Sequence, residues 1–388
     1  MPAVARLLRD PGVSVLVVGA GWSGAVVARC LGDAGVPVEV LEQAQVVGGH
    51  ARCEILNGVV YEPNGAHIFH TSNPAVARYV ERFGMTRPYE HRVVAEVYLD
   101  PDDERPVLLS WPPQLDELRA LPLWPMIESQ LAALPAQPHG DDFETWVVSL
   151  MGRRLYELFI EHYTRKQWGC EPSELSSRFA PKRVDLRGDG YTRLFRDTWE
   201  YFPPGGVSGV IEAILGPVPV TCGVSVGVDD LAAMTPRPAA VVFTAPLDDL
   251  LGRPAELEWR GIHMVSRYQP TDDLRGTRTA AYVVNHPSPR VPYTRTVETK
   301  HATGQEVLGT VVSEEHPGAP ARHYPVPTRD RRNERRNDAL QAEITARLAP
   351  VPVYFCGRLS TYTYINQDQA IERAFDCAAA VLRELGHG

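Results

Sequence analysis

Paired cysteine motifs are missing from this sequence. Its six cysteines, Cys30, Cys53, Cys170, Cys222, Cys356 and Cys377, include no C-x-x-C pair, which excludes a zinc ribbon and a thioredoxin-like redox motif; no metal site is expected. Cysteines scattered through a chain of 388 residues read as buried thiols of a reducing compartment, so the default location is cytoplasmic. No apolar run approaches a membrane span. The opening "MPAVARLLRDPGVSVLVVGAG" lacks an A-x-A-like cleavage site and reads as a short lead into a strand, not as a signal peptide. Positive charge is in the minority: a net charge of −9 argues against a general nucleic-acid-binding face but leaves room for a local cluster that takes a small anion. There is no internal repeat, and the 34 prolines are spread through loops instead of marking one linker.

What is present is ordinary for a globular protein: 44% apolar and 22% charged residues, in a chain long enough for two or three domains. The clearest segment is "VSVLVVGAGWSGAVVARCLGDAG". The β-branched run Val13 to Val18 predicts a buried parallel strand, "GAGWSG" a turn, and the residues from about Ala25 to Leu31 a helix. "VPVEVLEQ" is a second strand ending at Glu42, which stands eighteen residues beyond Gly24. This is a βαβ unit with G-x-G-x-x-G at Gly19, Gly21 and Gly24 and an acid where a ribose ligand belongs. Such a frame places a pyrophosphate on bare backbone and a helix N-terminus. A lone glycine pattern is weak; the complete unit is not.

From Asn73 to about Ala180 the spacing predicts helices broken by prolines, with "HRVVAEVYL" as an intervening strand. From about Pro246 to Tyr324 strands prevail, in "RGIHMVSRY", "TAAYVVNH", "YTRTVETKH" and "GTVVSEEH". "RDRRNERRNDALQAEITARLA" predicts a helix whose arginines form a solvated face. "VPVYFCGRL" and "DQAIERAFDCAAAVLREL" predict a late strand and helix that return to complete the first fold. The stretch "EHYTRKQWG", Glu161 to Gly169, has two readings. It is one turn of a helix, with rings in the core and charges in water, or a nucleotide seat in which a ring stacks on a base and Arg165 and Lys166 lie near phosphates.

The double glycine of "VVGGHAR" is typical of flavin-binding rather than nicotinamide-binding relatives, and taken alone it also reads as a plain loop turn. Together with "NGAHIFHTSNP", "YTRKQWG", "VPYTRTVE", "HYPV" and "FCGRLSTYTYINQDQAI", in this order over nearly the whole chain, it resembles the UDP-galactopyranose mutase family. The resemblance implies an α/β fold: a discontinuous Rossmann-like FAD-binding domain with an inserted helical domain and an antiparallel β-sheet domain. The expected division is 1–72, 203–248 and 350–388 for FAD; 73–90 and 112–182 for the helical nucleotide-sugar domain; and 91–111, 183–202 and 249–349 for a mobile lid and substrate sheet.

It also implies an isomerase that interconverts pyranose and furanose forms of a nucleotide-diphosphate hexose. In that family reduced FAD attacks the anomeric carbon through N5, and the chemistry runs through a flavin–sugar adduct. The implied cofactor residues are Gly19, Gly21, Gly24, Glu42, Gly49, His50, Arg260, Gly357 and Arg358. The implied catalytic set is His67 beside the flavin ring, with Arg295, Arg358, Tyr324 and Tyr364 on the diphosphate. Tyr163, Trp168, Arg183 and Asn366 join Arg295, Tyr324 and Tyr364 as substrate residues. Guanidinium forks suit phosphate oxygens, and phenol hydroxyls donate without adding charge. The implied partners are the nucleotide sugar, an external reductant such as NAD(P)H or a flavin reductase, and a homodimer mate; nucleic acid and membrane are not among them.

The chain departs from the family pattern at His50 (usually Asn), at Asn366 (usually Asp), at Leu194, where a nucleotide-contacting tyrosine is expected, and at Val207, which replaces a later tyrosine. Tyr191 lies nearby but out of register. These changes read as substrate-side, which opens a GDP-linked hexose such as GDP-L-galactose beside the UDP-galactose-like substrate. Two rival readings stay open: an oxidase of the amine-oxidase type, which shares the N-terminal fingerprint, and a non-catalytic nucleotide-sugar-binding relative.

Overall fold

The strand-forming run "VLVV" is buried on both faces, and the fold is built around it. In the computed structural model, which describes residues 15–178 and 184–387, Val15–Val18 is the central strand of a five-stranded sheet among the described residues. The order is Val353–Phe355, Ala240–Phe243, Val15–Val18, Val38–Glu42, Val220–Cys222, and every pairing is parallel. Alternation divides the strand between two cores. Val15 and Val17 pack under Trp22–Asp33, Ser208–Leu215 and Gln367–Glu384, while Leu16 and Val18 pack over Arg332–Leu348 and Val228–Ala232. A parallel sheet needs both faces covered, and the chain supplies the covers from three separate stretches. The late strand and helix do return to the first sheet.

A second sheet runs in the order Trp259–Gln269, Thr310–Pro325, Arg295–Val297, Val283–Asn285, Val93–Val97, Val107–Trp111. Its pairings are antiparallel except that of Val283–Asn285 with Val93–Val97. The chain leaves this sheet after Trp111 and returns to it at Trp259, and the one parallel pair joins strands from the two visits. Between the two visits lie short helices: Leu115–Arg119, Trp124–Ala132, Phe143–Met151, Arg153–Tyr156, a π turn at Glu157–Glu161, and His162–Trp168. Their apolar faces close on Ala95, Val97 and Leu109 of the sheet.

Some elements differ from expectation. The first helix begins at Trp22, three residues before Ala25, because the glycine turn passes directly into it. "YTRTVETKH" is only a short strand, Arg295–Val297, followed by a helical turn, Lys300–Thr303. "GTVVSEEH" continues to Pro325, with its register broken between Arg260↔Tyr324 and Gly261↔Ala319. That bulge turns the strand end toward the glycine loop. The arginine-rich helix, Arg332–Leu348, does present a solvated face, with Arg332 on Glu258 and Arg347 on Asp229. No described helix is long and apolar enough to cross a membrane. The lead before residue 15 lies outside the described residues.

Close packing of this first unit rests on Gly24: a Cβ there would stand 1.9 Å from the Gly19 carbonyl oxygen, which is backbone and cannot step aside. Gly21 has the opposite setting, with Gly49 Cα at 3.7 Å as the nearest described atom. Gly24→Ala should therefore lose at least about 1–3 kcal/mol of stability, while Gly21→Ala stays near wild type. Thermal unfolding followed by circular dichroism checks this; equal midpoints for the two variants would contradict it.

Candidate active site

Three turns converge at the C-terminal edge of the parallel sheet. Gly19 adopts φ +106°, and a Cβ on it would lie 2.2 Å from Thr244 Oγ1. Gly357, at φ +89°, would likewise strike Ser23 Oγ at 2.7 Å. Across from them Gly49, at φ +56°, brings its backbone against Gly21, where a Cβ would be 3.1 Å from Gly21 Cα. Glu42 accepts N–H bonds from Ala20 (2.7 Å) and Ala44 (2.8 Å), fixing the second strand to the glycine turn. No side chain caps the helix at Gly21. Bare backbone on both sides, over the positive end of a twelve-residue helix, fits the pyrophosphate of a dinucleotide.

Beside this cleft lies a cavity of about 550 Å³. His162–Trp168 contributes Tyr163, Gln167 and Trp168; the strand pair contributes Asn285 and Arg295; the bulged strand contributes Tyr324; and the C-terminal turn contributes Arg358, Tyr364 and Asn366. His67 and Leu194 complete the wall used below. Arg295 is half-buried and meets Glu315 Oε2 through Nε and Nη2 at 2.8 Å, with Glu315 fully buried behind it. Its Nη2 also points to the Tyr324 hydroxyl at 3.4 Å. Arg358 donates to the carbonyls of Ile365 and His323 and lies 5.6 and 5.0 Å over the rings of Tyr324 and Tyr364. Those two rings stack at 5.5 Å, and Trp168 meets Tyr324 edge-on at 6.3 Å. Asn366 is the N-cap residue of the long final helix.

Burial keeps the imidazoles of His67 and His323 neutral near pH 7. Burial, then the Arg358 charge, holds His67 down to about 3, and its Nδ1 donates to the Gly65 carbonyl at 2.6 Å. That leaves Nε2 as an acceptor. Burial and Arg358 also lower His323, to about 4; its Nδ1 accepts the Ile262 amide, and its ring stacks on His50 at 4.4 Å. Glu62 is fully buried, accepts hydrogen bonds from the Tyr282 hydroxyl and the His67 amide, and is pushed by burial up to about 8. The 3.8 Å approach of His67 to Glu62 is therefore a contact of neutral groups near pH 7.

Several expected residues are placed elsewhere. Neither cation of "YTRKQWG" faces the cavity: Arg165 pairs with Glu161 and Glu171, and Lys166 is surrounded by backbone carbonyls. The aromatics and cations of one helical turn point in different directions, so the helix-end reading holds for the charges and the cavity reading for the rings. Arg260 is not at the cofactor cleft. It caps the same helix, donating to the carbonyls of Lys166 and Gln167 across Gly169. Val207 is fully buried in the core beneath the first helix and is not on the cavity wall. Tyr191 bonds the Phe195 carbonyl among Arg187, Arg193 and Arg196. Leu194 does line the cavity. Arg183 lies outside the described residues.

Two residues escaped the sequence reading. Glu315 is the buried counter-ion of Arg295; its signal is an acid in phase with Val311 and Ser313 on the inward face of a strand. Gln367 joins three segments, accepting from Trp22 Nε1 at 2.6 Å and donating to the carbonyls of His67 and Ile68.

Comparison with known proteins agrees with this geometry. A family model described as UDP-galactopyranose mutase matches residues 158–364, more than half of the chain, and an NAD(P)-binding Rossmann-like domain model matches residues 17–83. A probable UDP-galactopyranose mutase of Klebsiella pneumoniae is 28% identical, covering 96% of each chain. A dTDP-fucopyranose mutase of Escherichia coli is 26% identical over 95% of this chain and 98% of its own. The crystal structure of a reduced UDP-galactopyranose mutase superposes with a TM-score of 0.74 at 16% identity, covering 95% of both chains. A cyclohexylamine oxidase from Brevibacterium oxydans has the same fold, with TM-score 0.59 at 16% identity over 97% of this chain and all of its own.

Glu62 gives a pH test. Its folded value, about 8, lies above the ordinary carboxyl value, so the folded state holds a proton that the unfolded state releases. Stability from this group is present in full below the unfolded value and is lost as pH rises toward about 8. Glu62→Gln should flatten that decline, and its advantage over wild type should be largest above pH 8. Urea midpoints for both proteins across pH check this; parallel curves would contradict the assignment.

Proposed function

The chain belongs to the UDP-galactopyranose mutase family, and from that premise we propose that it is a flavin-dependent isomerase that interconverts the pyranose and furanose forms of a hexose on a nucleoside diphosphate. Its named relatives are pyranose mutases, so isomerase chemistry is the common property. The observation that carries the finer reading is the wall of Arg295, Arg358, Tyr324 and Tyr364 beside the Gly21–Gly49 cleft. An amine-oxidase-type site on the same fold has no need of two guanidiniums and stacked phenols at that place.

FAD fits the cleft. Gly19, Gly21, Gly24, Gly49 and Gly357 would hold its pyrophosphate region, Glu42 its ribose, and His50, His67 and Arg358 its ring end. Bound and reduced by an external donor, the flavin supplies a nucleophilic nitrogen, N5, for the anomeric carbon. The protein's own groups act on the rest. Arg295 and Arg358 hold the charge that grows on the diphosphate as its bond to the sugar breaks, and keep it in place for the return. The hydroxyls of Tyr324 and Tyr364 add donors without charge. Tyr163 and Trp168 seat the base, and His67, neutral with Nε2 as acceptor, sits where a sugar or cofactor hydrogen can be received. We assign the three-part domain division given above to this scheme.

The sugar nucleotide is of the UDP-galactopyranose kind. Leu194 gives the cavity an apolar wall in place of a phenol, and a dTDP-fucopyranose mutase stands as near in sequence as a UDP-galactopyranose mutase. The test is to incubate oxidised and dithionite-reduced protein with UDP-galactopyranose, dTDP-fucopyranose and a GDP-linked hexose, and to chromatograph the products. Furanose should form with the reduced protein only, with reductant not consumed in proportion. Arg295→Ala should cut the rate about a hundred- to a thousand-fold. Stoichiometric loss of reductant, or equal activity when oxidised, would defeat the reading.

A further inference from the structure

The hairpin between Val283–Asn285 and Arg295–Val297 is closed by the sequence "HPSPRVPYT". Pro287, Pro289 and Pro292 remove three amide donors from it, so this loop cannot satisfy its own carbonyls by the usual turns. Four of those carbonyls turn inward onto one atom. Lys166 Nζ lies 2.5 Å from His286 O, 2.8 Å from Ser288 O, 3.2 Å from Val291 O and 2.8 Å from Tyr293 O. Three of them belong to X–Pro bonds: His286–Pro287, Ser288–Pro289 and Val291–Pro292. An ammonium has three N–H donors in no fixed plane, which suits a cage of carbonyls; a guanidinium fork does not. Burial of the charge draws Lys166 down to about 8, in keeping with a cation held by dipoles alone.

The cage lies between two parts of the cavity wall. Lys166 shares its helix with Tyr163, Gln167 and Trp168. The loop it holds opens at Asn285 and returns at Arg295, a directly opposed cross-strand pair, and both residues line the cavity. The outer side of the loop has independent anchors: Arg290 donates to the carbonyls of Asp103 and Pro101, and His286 Nδ1 meets Glu96 at 3.1 Å. Toward the helix, the loop is held by Lys166 and by a side-chain hydrogen bond between Thr294 and Tyr163.

We infer that Lys166 is a positioning residue: its caged ammonium locks the proline loop, and through it Asn285 and Arg295, to the helix that carries Tyr163 and Trp168. This rests on the nucleotide-sugar reading above. Lys166 then acts on diphosphate binding without touching the diphosphate.

The test uses the full flavin-loaded protein and UDP as the probe, read by calorimetry. Lys166→Ala should bind UDP about tenfold more weakly, the order expected for lost charge-assisted hydrogen bonds, with flavin content as in wild type. The fragment removed matches propylammonium, so propylammonium chloride should restore affinity to the variant, and 1-propanol or sodium chloride should not. Lys166→Gln, which keeps an amide donor in the cage, should fall between wild type and Lys166→Ala. Wild-type affinity in Lys166→Ala, or a loss that propylammonium leaves unchanged, would overturn the inference. So would failure of both variants to fold with flavin bound, since Lys166 would then serve the fold and not the cavity wall. If wild type itself binds none of UDP, dTDP and GDP, the nucleotide-sugar reading fails first, and that outcome is distinct from either; if it binds dTDP or GDP instead of UDP, that diphosphate is the probe.

Discussion

Two guanidinium groups must stay charged at the wall of one cavity whether or not an anion is there, and most of the site follows from how that is done. Arg295 is held by Glu315, an acid with no solvent exposure, which takes Nε and Nη2 on one edge. No acid among the described residues pairs with Arg358; the carbonyls of Ile365 and His323 and the faces of two tyrosines hold it instead. The difference matters for an anionic ligand. A guanidinium balanced by carbonyl dipoles keeps a full charge to offer, while one balanced by a carboxylate offers direction more than charge. Burial keeps His50, His67 and His323 neutral, and the nearby Arg358 charge adds to it, since protonation would put charge where charge is already costly.

The second constraint is placement. Cofactor cleft and cavity are made from segments far apart in sequence, so they stay in register only if other groups join the segments. Gln367 ties the first helix to the His67 loop and the last helix. The β-bulge turns the His323 carbonyl to Arg358 and its ring to the Ile262 amide and His50. Lys166 ties the helical layer to the hairpin of the second sheet. Each of these shares an element with residues that line the cavity.

These joints are also where sequence reading stopped. The glycine turn was legible because each glycine answers a local steric demand: Gly19 against Thr244, and Gly24 against Gly19. The parallel sheet was legible because strands buried on both faces are apolar throughout. Motif order brought His67, Arg295, Tyr324, Arg358 and Tyr364 to one place. It said nothing of which way a side chain turns within a motif, so two readings stayed open for Arg165 and Lys166, and Arg260 was read as facing the cofactor when it donates to a helix end. Val207 was placed at the substrate by the same reasoning and lies in the core. Glu315 was legible in principle, as an acid at an inward strand position, but its partner twenty residues away in sequence was not.

The central claim is that the bond between sugar and diphosphate breaks while the protein keeps the diphosphate in place. A heavy-oxygen label in the atom that bridges the anomeric carbon and the distal phosphorus tests this directly by phosphorus NMR. During turnover by the reduced protein, the label should scramble into the non-bridging oxygens of recovered substrate, because a held diphosphate can rotate before it is used again. Furanose formed with the label still wholly in the bridge would contradict the account, since the ring would then have been rearranged without releasing the diphosphate at all.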